Sequence, residues 1–383
     1  MPEFIPGLEL SEAFYREIVR PVLDKCFPGL YHSAGLIGRG SEVLRYDTAE
    51  STDHDWGPRI QLFCNEVDYA RFGRKIAMEM GRRLPYEFRR YPTHFKVLPS
   101  GTAAAVEKIS EGPTDHRIKV GRAVAMEKIT EGPIDHRVEV TTFRRFFKDI
   151  LGIDPDGEIS ASDWLTFSDQ ALLMATSGKV FHDGLKRLKA IREKLAYYPD
   201  DIWRYMLASQ WQRIGQEEAF VGRCGDTGDE LGSRIIAVRL VRDLMRLCFL
   251  MEKRYAPYPK WYGTAFAQLP CADELTPILQ SVIDAQLWRE RESQLSRAYE
   301  IIARMHNELE ITDPVEAKVS QFYDRPYTVI NGERIAGVIQ ATIRDETVMR
   351  LPKFMGSVDQ FSDSTDILFN VKNRRRLKAL YMP

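Results

Sequence analysis

Long apolar runs, paired cysteines and a surplus of either charge are all missing from this chain of 383 residues. No stretch reaches the roughly 18 consecutive apolar residues of a membrane-spanning helix, so none is expected. The opening Met1-Pro2-Glu3-Phe4-Ile5-Pro6 has neither a basic region nor a long apolar run, and no signal peptide is expected there. The five cysteines, Cys26, Cys64, Cys224, Cys248 and Cys271, are scattered without a CxxC pair. That usage points to buried, reduced thiols in a cytoplasmic protein. A formal net charge of −1 gives no overall field toward nucleic acid or a membrane surface. The seven histidines show no HExxH spacing, and neither a GxSxG elbow nor a GxxxxGK[ST] loop occurs. Zinc, hydrolase and P-loop kinase chemistry are therefore not expected. What is present is an ordinary globular composition, 44% apolar and 28% charged, over a length that suggests two domains.

The most informative string is Leu36-Ile37-Gly38-Arg39-Gly40-Ser41, followed after eleven residues by Asp53-His54-Asp55-Trp56. A Gly-Ser turn lets backbone N–H groups approach phosphate oxygens, because glycine has no Cβ in the way. Two carboxylates two residues apart on a strand share one face. Such a set can hold two Mg²⁺ ions against a triphosphate, with Mn²⁺ as a substitute. Gly40 and Ser41 would take the phosphates, and Arg39 and Arg45 would neutralise their charge.

This string resembles the signature of the DNA polymerase β-like nucleotidyltransferase superfamily. Two longer strings, Ser51 to Arg59 and Gln216 to Gly225, resemble its branch described as domain of unknown function 4037. The resemblance implies an α/β catalytic domain with a short mixed sheet, followed by a mainly helical domain. It also implies a nucleoside triphosphate substrate and a third carboxylate on a later strand between apolar residues. Val138-Glu139-Val140 fits that pattern, so Glu139 would be metal ligand or general base beside Asp53 and Asp55. Asp135, on the same strand face four residues earlier, is the alternative.

Residues 101–140 hold a tandem repeat of period 20, GTAAAVEKISEGPTDHRIKV and GRAVAMEKITEGPIDHRVEV, identical at thirteen positions. Two copies are too few for a solenoid. Each reads as strand, turn and strand, with EGPxDH at the turn. Lys119 of the first copy corresponds to Glu139 of the second. A lysine cannot ligate a metal ion or accept a proton there, so only the second copy can complete the site.

Elsewhere, hydrophobic spacing predicts a helix over 9–26 capped by Ser11, with Pro21 as a kink point. It predicts a strand over 34–37, a brief helix over 41–46, a strand through 53–63, a helix over 65–83 and a strand over 95–98. Phe143, Phe146, Phe147 and Ile150 form one stripe ended by Gly152. Helical spacing then runs over 203–220, 235–251 and 277–309. Tyr327 to Ile335 reads as a hairpin across Asn331-Gly332. Arg374-Arg375-Arg376 reads as a solvated tail, with a phosphate or RNA contact as the alternative.

The expected organisation is a catalytic domain over 1–150 and an acceptor-binding helical domain over 151–383. In the latter, Glu217 and Glu218 would face an amine or hydroxyl of the acceptor, and Asp226, in an acidic Gly-rich loop, would line the cleft. Lys260, in the rigid Tyr255-to-Gly263 segment, would reach the triphosphate, by analogy with antibiotic nucleotidyltransferases. The acceptor would be a small hydroxylated molecule or a protein side chain, with no long nucleic acid. Three alternatives remain at this point. They are a non-catalytic nucleotide-binding module, a protein-modifying (AMPylating) enzyme of a toxin–antitoxin type system, and a helical interaction protein.

Overall fold

The computed structural model describes residues 4–50, 56–97, 103–108, 116–120, 123–125 and 135–382. Two compact units emerge. The first comprises Met1–Glu158 with Leu173–Ala196, and the second Ile159–Leu172 with Tyr197–Pro383. The fold is mixed α/β with a small mixed sheet, and the C-terminal half is mostly helical. No described helix is long and apolar enough to cross a membrane.

The first unit is built on four strands, in the order Val138–Thr141, Ile60–Cys64, His32–Leu36 and Lys179–Asp183. The outer pair Val138–Thr141 and Ile60–Cys64 is parallel, and the other two pairings are antiparallel. Both central strands are buried at every position, as expected of a sheet covered on two faces. The last strand lies beyond residue 150 and returns because Ser33 pairs with Asp183 and Leu36 with Lys179.

Helices cover this sheet by burying apolar stripes. Phe14, Tyr15, Val19 and Leu23 from the first helical run meet Ile76 and Met80 of helix Glu66–Arg83 over Ala34, Ile60, Leu62 and Val138. That first run is helical from Gly7 to Cys26, with a π-turn over Tyr15–Val19 just before Arg20-Pro21. Proline has no N–H to give the turn before it, and a wider turn there accommodates the loss. Ser11 does not cap the helix. It is buried, and its Oγ accepts from the Arg59 N–H at 3.3 Å, while Pro6 precedes the first turn. The helix expected over 65–83 runs from Glu66 to Arg83, and Asn65 caps it, its Oδ1 accepting from the Asp68 N–H at 2.8 Å. Helix Phe143–Ile150 buries all four of its stripe residues. Each is worth about 1.5–3 kcal/mol over exposure.

The two repeat copies take different structures. In the first, Ala103–Lys108 and His116–Val120 pair antiparallel in a five-stranded accessory sheet. In the second, Ala123–Ala125 and Asp135–His136 join that accessory sheet, while Val138–Thr141 enters the main one. Lys119 thus pairs with Ala105, and its counterpart Glu139 with Gln61.

The second unit packs helices Asp200–Glu217, Phe220–Asp226, Glu230–Met251, Ala272–Asp284, Trp288–Glu308 and Gly332–Gln340. The periodic stretch 277–309 is two helices, broken where Arg291 donates to the carbonyls of Ala285 and Gln286 at 2.9 and 3.2 Å. The Gly-rich 223–230 segment is helical up to Asp226. Its glycines permit contact, since a Cβ on Gly225 would lie 2.0 Å from Trp288 Cγ. Asn331-Gly332 is not a hairpin turn either. Asn331 sits at φ 59° and Gly332 opens a helix. Arg374 is no solvated tail: it is buried, and burial lowers its pKa to about 10.

Candidate functional site

The Gly-Ser turn leaves the C-terminal end of strand His32–Leu36 as a run of tight turns over 41–45, where a brief helix was expected. Ser41 O accepts from the N–H groups of Leu44 and Tyr46, at 3.1 and 2.9 Å. The N–H groups of Gly40 and Ser41 themselves donate to nothing among the described residues. Gly40 is left-handed at φ 130°, and a Cβ there would lie 2.4 Å from Glu42 Oε2 and closer still to the Arg59 guanidinium. Only glycine fits such a position. Arg39 and Arg45 are exposed beside this turn.

Residues the sequence reading missed hold the turn in place. Glu42 is buried and accepts from Arg59 Nε at 2.6 Å, and Arg59 also donates to the Arg39 carbonyl. Burial raises the pKa of Glu42, against the pull of Arg59. Asp47 Oδ2 accepts from the Gly7 N–H at 2.7 Å and from the Trp56 indole at 3.0 Å. No charge spacing exposes these links in sequence, because seventeen residues separate Glu42 from Arg59.

Glu139 is exposed on strand Val138–Thr141, which runs parallel to Ile60–Cys64. Its Oε2 accepts from Gln61 Nε2 at 3.4 Å, and Gln61 Oε1 accepts from the Ile37 N–H at 3.0 Å. Gln61 therefore ties the acidic strand to the chain three residues before Gly40. Two residues before Glu139, Arg137 Nη1 donates to the Trp56 carbonyl at 2.5 Å, and the Arg137 carbonyl accepts from Ile60 N–H at 2.9 Å. Residues 37–41, 56–61 and 137–139 thus converge on one end of the sheet. Asp53 and Asp55, the two other expected metal ligands, lie outside the described residues, as does the side chain of Asp135. Among the described residues no group of three His, Cys, Asp or Glu side chains is placed to hold a metal ion.

In the second unit the expected acceptor residues have intramolecular partners. Glu217 accepts from Arg239 at 2.6 Å. Glu218 is buried, and its two oxygens accept from the N–H groups of Ile330 at 2.6 Å and Gly332 at 3.1 Å. It serves the start of helix Gly332–Gln340, where a carboxylate complements the helix dipole. Burial pushes its pKa up to about 7, against those N–H groups. Asp226 accepts from the Tyr327 hydroxyl at 3.1 Å. Lys260 is exposed on helix Pro259–Phe266, its Nζ 4.9 Å from the Trp261 ring centre.

A second group went unread in sequence. Asp169 is buried and accepts from the Tyr198 hydroxyl at 2.5 Å and the Ala256 N–H at 3.3 Å, with Arg246 Nη1 at 3.9 Å. Its own N–H donates to Asp359 at 2.9 Å. Burial and the neighbouring Asp169 push the Asp359 carboxyl up to about 7. These partners lie up to 190 residues apart, so local pattern carries no trace of them.

No curated protein and no solved structure matches this chain. The family described as a domain of unknown function (DUF4037) matches residues 164–262, a span that includes Asp169, Tyr198, Glu218 and Arg246 and stops short of Gly40, Ser41 and Glu139.

Proposed function

We propose that this protein is a Mg²⁺-dependent nucleotidyltransferase, moving a nucleoside monophosphate from a nucleoside triphosphate, such as ATP, to a hydroxyl. The observation that carries this reading is the pair of N–H groups at Gly40 and Ser41 that donate to nothing among the described residues, at the sheet end where Glu139 meets Gln61. Undonated N–H groups at a Gly-Ser turn suit phosphate oxygens. An exposed carboxylate whose one hydrogen bond among the described residues is a long one from an amide N–H can turn toward a cation or a hydroxyl. Asp53, Asp55 and Glu139 would hold Mg²⁺, which when bound neutralises phosphate charge and lowers the pKa of an attacking hydroxyl.

In the reaction, the acceptor oxygen bonds the α-phosphorus, the bond from that phosphorus to the α–β bridging oxygen breaks, and pyrophosphate leaves. Glu139 would take the hydroxyl proton if it serves as base. Gly40 and Ser41 would orient the triphosphate, with Arg39 neutralising charge at the turn. The acceptor is a small hydroxylated molecule or a protein side chain.

The test is incubation with each α-³²P-labelled nucleoside triphosphate, Mg²⁺ and either a metabolite extract or the protein itself. Label should appear on an acceptor with wild type and be lost with Glu139→Gln. Lys119→Ala should leave transfer intact. Triphosphate binding without transfer to any pool would replace this reading with a non-catalytic module, and no binding at all would remove both.

A further inference from the structure

The first unit carries a groove of about 500 Å³ lined by Lys25, Cys26 and Phe27 from the end of one helix and by Lys75, Met78, Glu79, Arg82 and Arg83 from another. Positions 75, 78, 79, 82 and 83 follow the i, i+3, i+4, i+7, i+8 spacing of a single helix face. Four cations and one carboxylate line it, in a chain whose formal net charge is −1. None of these residues belongs to the phosphate turn or the acidic strand.

The one carboxylate is already engaged. Glu79 accepts from Arg83 Nε at 2.7 Å and Arg82 Nη1 at 3.3 Å, and these arginines hold its carboxyl below the usual range. Cations in a helix's last turn complement its dipole, which accounts for Lys25, Arg82 and Arg83. It does not account for Lys75, two turns before the end of its helix. Lys25 and Lys75 are both exposed, and neither has an ion-pair partner among the described residues. Arg71 and Arg74 extend the same excess along the exposed helix surface. Half-buried Phe27 and half-exposed Met78 give the groove an apolar floor.

We propose that this groove binds the polyphosphate group of a nucleotide-sized anion, with Lys25 and Lys75 as its principal charge partners and Arg82 and Arg83 at one edge. Two unengaged ammonium groups beside two arginines suit an anion of two or more phosphates, and the floor suits a base or another flat apolar group. The proposal stands apart from the catalytic reading, since it needs no divalent metal.

Isothermal titration of the full chain in EDTA tests it, with pyrophosphate and ADP as probes. Both should bind, and raising NaCl from 50 to 500 mM should weaken them several-fold. Lys25→Glu/Lys75→Glu should weaken both at least tenfold, and Lys25→Gln/Lys75→Gln gives a milder version should the double reversal fail to fold. Nucleotidyl transfer by the Lys25→Gln/Lys75→Gln variant should match wild type, because neither lysine belongs to the phosphate turn or the acidic strand, and this separates failure of the groove from failure of the catalytic reading. Tighter binding of ADP than of pyrophosphate assigns the base to Phe27 and Met78, and equal binding assigns the phosphates alone. The proposal is overturned if neither probe binds at millimolar concentration, or if both lysine variants bind within twofold of wild type.

Discussion

Replacing Glu218 with glutamine should change not only the stability of the protein but the way that stability depends on pH. In the folded chain the Glu218 carboxyl is pushed from its ordinary 4.5 to about 7, chiefly by burial. A carboxyl with a raised folded pKa holds its proton more tightly when folded. Its contribution is therefore fully present below pH 4.5 and is lost as pH rises through 7. Working the two pKa values through the linkage relation gives a loss of about 2.5 kcal/mol between pH 5 and pH 8. Glutamine keeps the shape and cannot ionise, so this slope should vanish. A pH-independent cost of about 1–2 kcal/mol should remain, because one of the two N–H groups, on Ile330 or Gly332, meets an amide N–H₂ in place of an oxygen. Asp359 also has a raised pKa, and it cancels in the difference between the two proteins. The assay is urea unfolding followed by tryptophan fluorescence and far-UV dichroism at pH 5, 6, 7 and 8. Wild-type stability should fall toward that of the variant as pH rises. Parallel curves across this range would refute the argument that burial outweighs the N–H groups at Glu218.

Three further outcomes follow from the packing. Asp169→Ala should cost about 3–5 kcal/mol in urea unfolding, because it strands the Tyr198 hydroxyl, the Ala256 N–H and the Arg246 charge together. Gly225→Ala should lower thermal stability by about 1–3 kcal/mol, since the new methyl meets the Trp288 ring, and differential scanning calorimetry would register it. Gly337→Ala, on a helix with nothing within 4 Å of the added Cβ, should instead raise stability by about 0.5–1 kcal/mol in the same experiment.

What the sequence revealed depended on the reach of the interactions involved. The helix over 65–83 and the Phe143–Ile150 stripe were readable because helical spacing is settled within one or two turns. Ser11 looked like a cap for the same local reason, yet Arg59, 48 residues away, claims its hydroxyl. Asn331-Gly332 carries a good hairpin signal, but Glu218, 112 residues earlier, supplies acceptors to the Ile330 and Gly332 N–H groups and a helix starts there instead. At the candidate site, residue type and spacing single out Gly40, Ser41 and Glu139, and the structure brings their segments to one end of the sheet. The side chains that brace them, Glu42, Arg59, Gln61 and Arg137, were not legible, because their roles exist only once three chain segments meet.

The divergent fates of the two 20-residue copies carry a consequence for how the chain reaches its native pairing. His116–Val120 and the stretch from His136 to Val140 are nearly interchangeable strings, and both have the alternation needed to lie beside Ile60–Cys64. The chain thus holds two candidate strings for a single berth. Cross-strand preference separates them only weakly, since Gln61 can hydrogen-bond a glutamate there or a lysine. Chain connectivity does more: Val138–Thr141 leads at once into the capped helix Phe143–Ile150, which locks the winning segment in place. A duplication that would otherwise have offered the protein two rival registers is thereby resolved by what comes next in the chain.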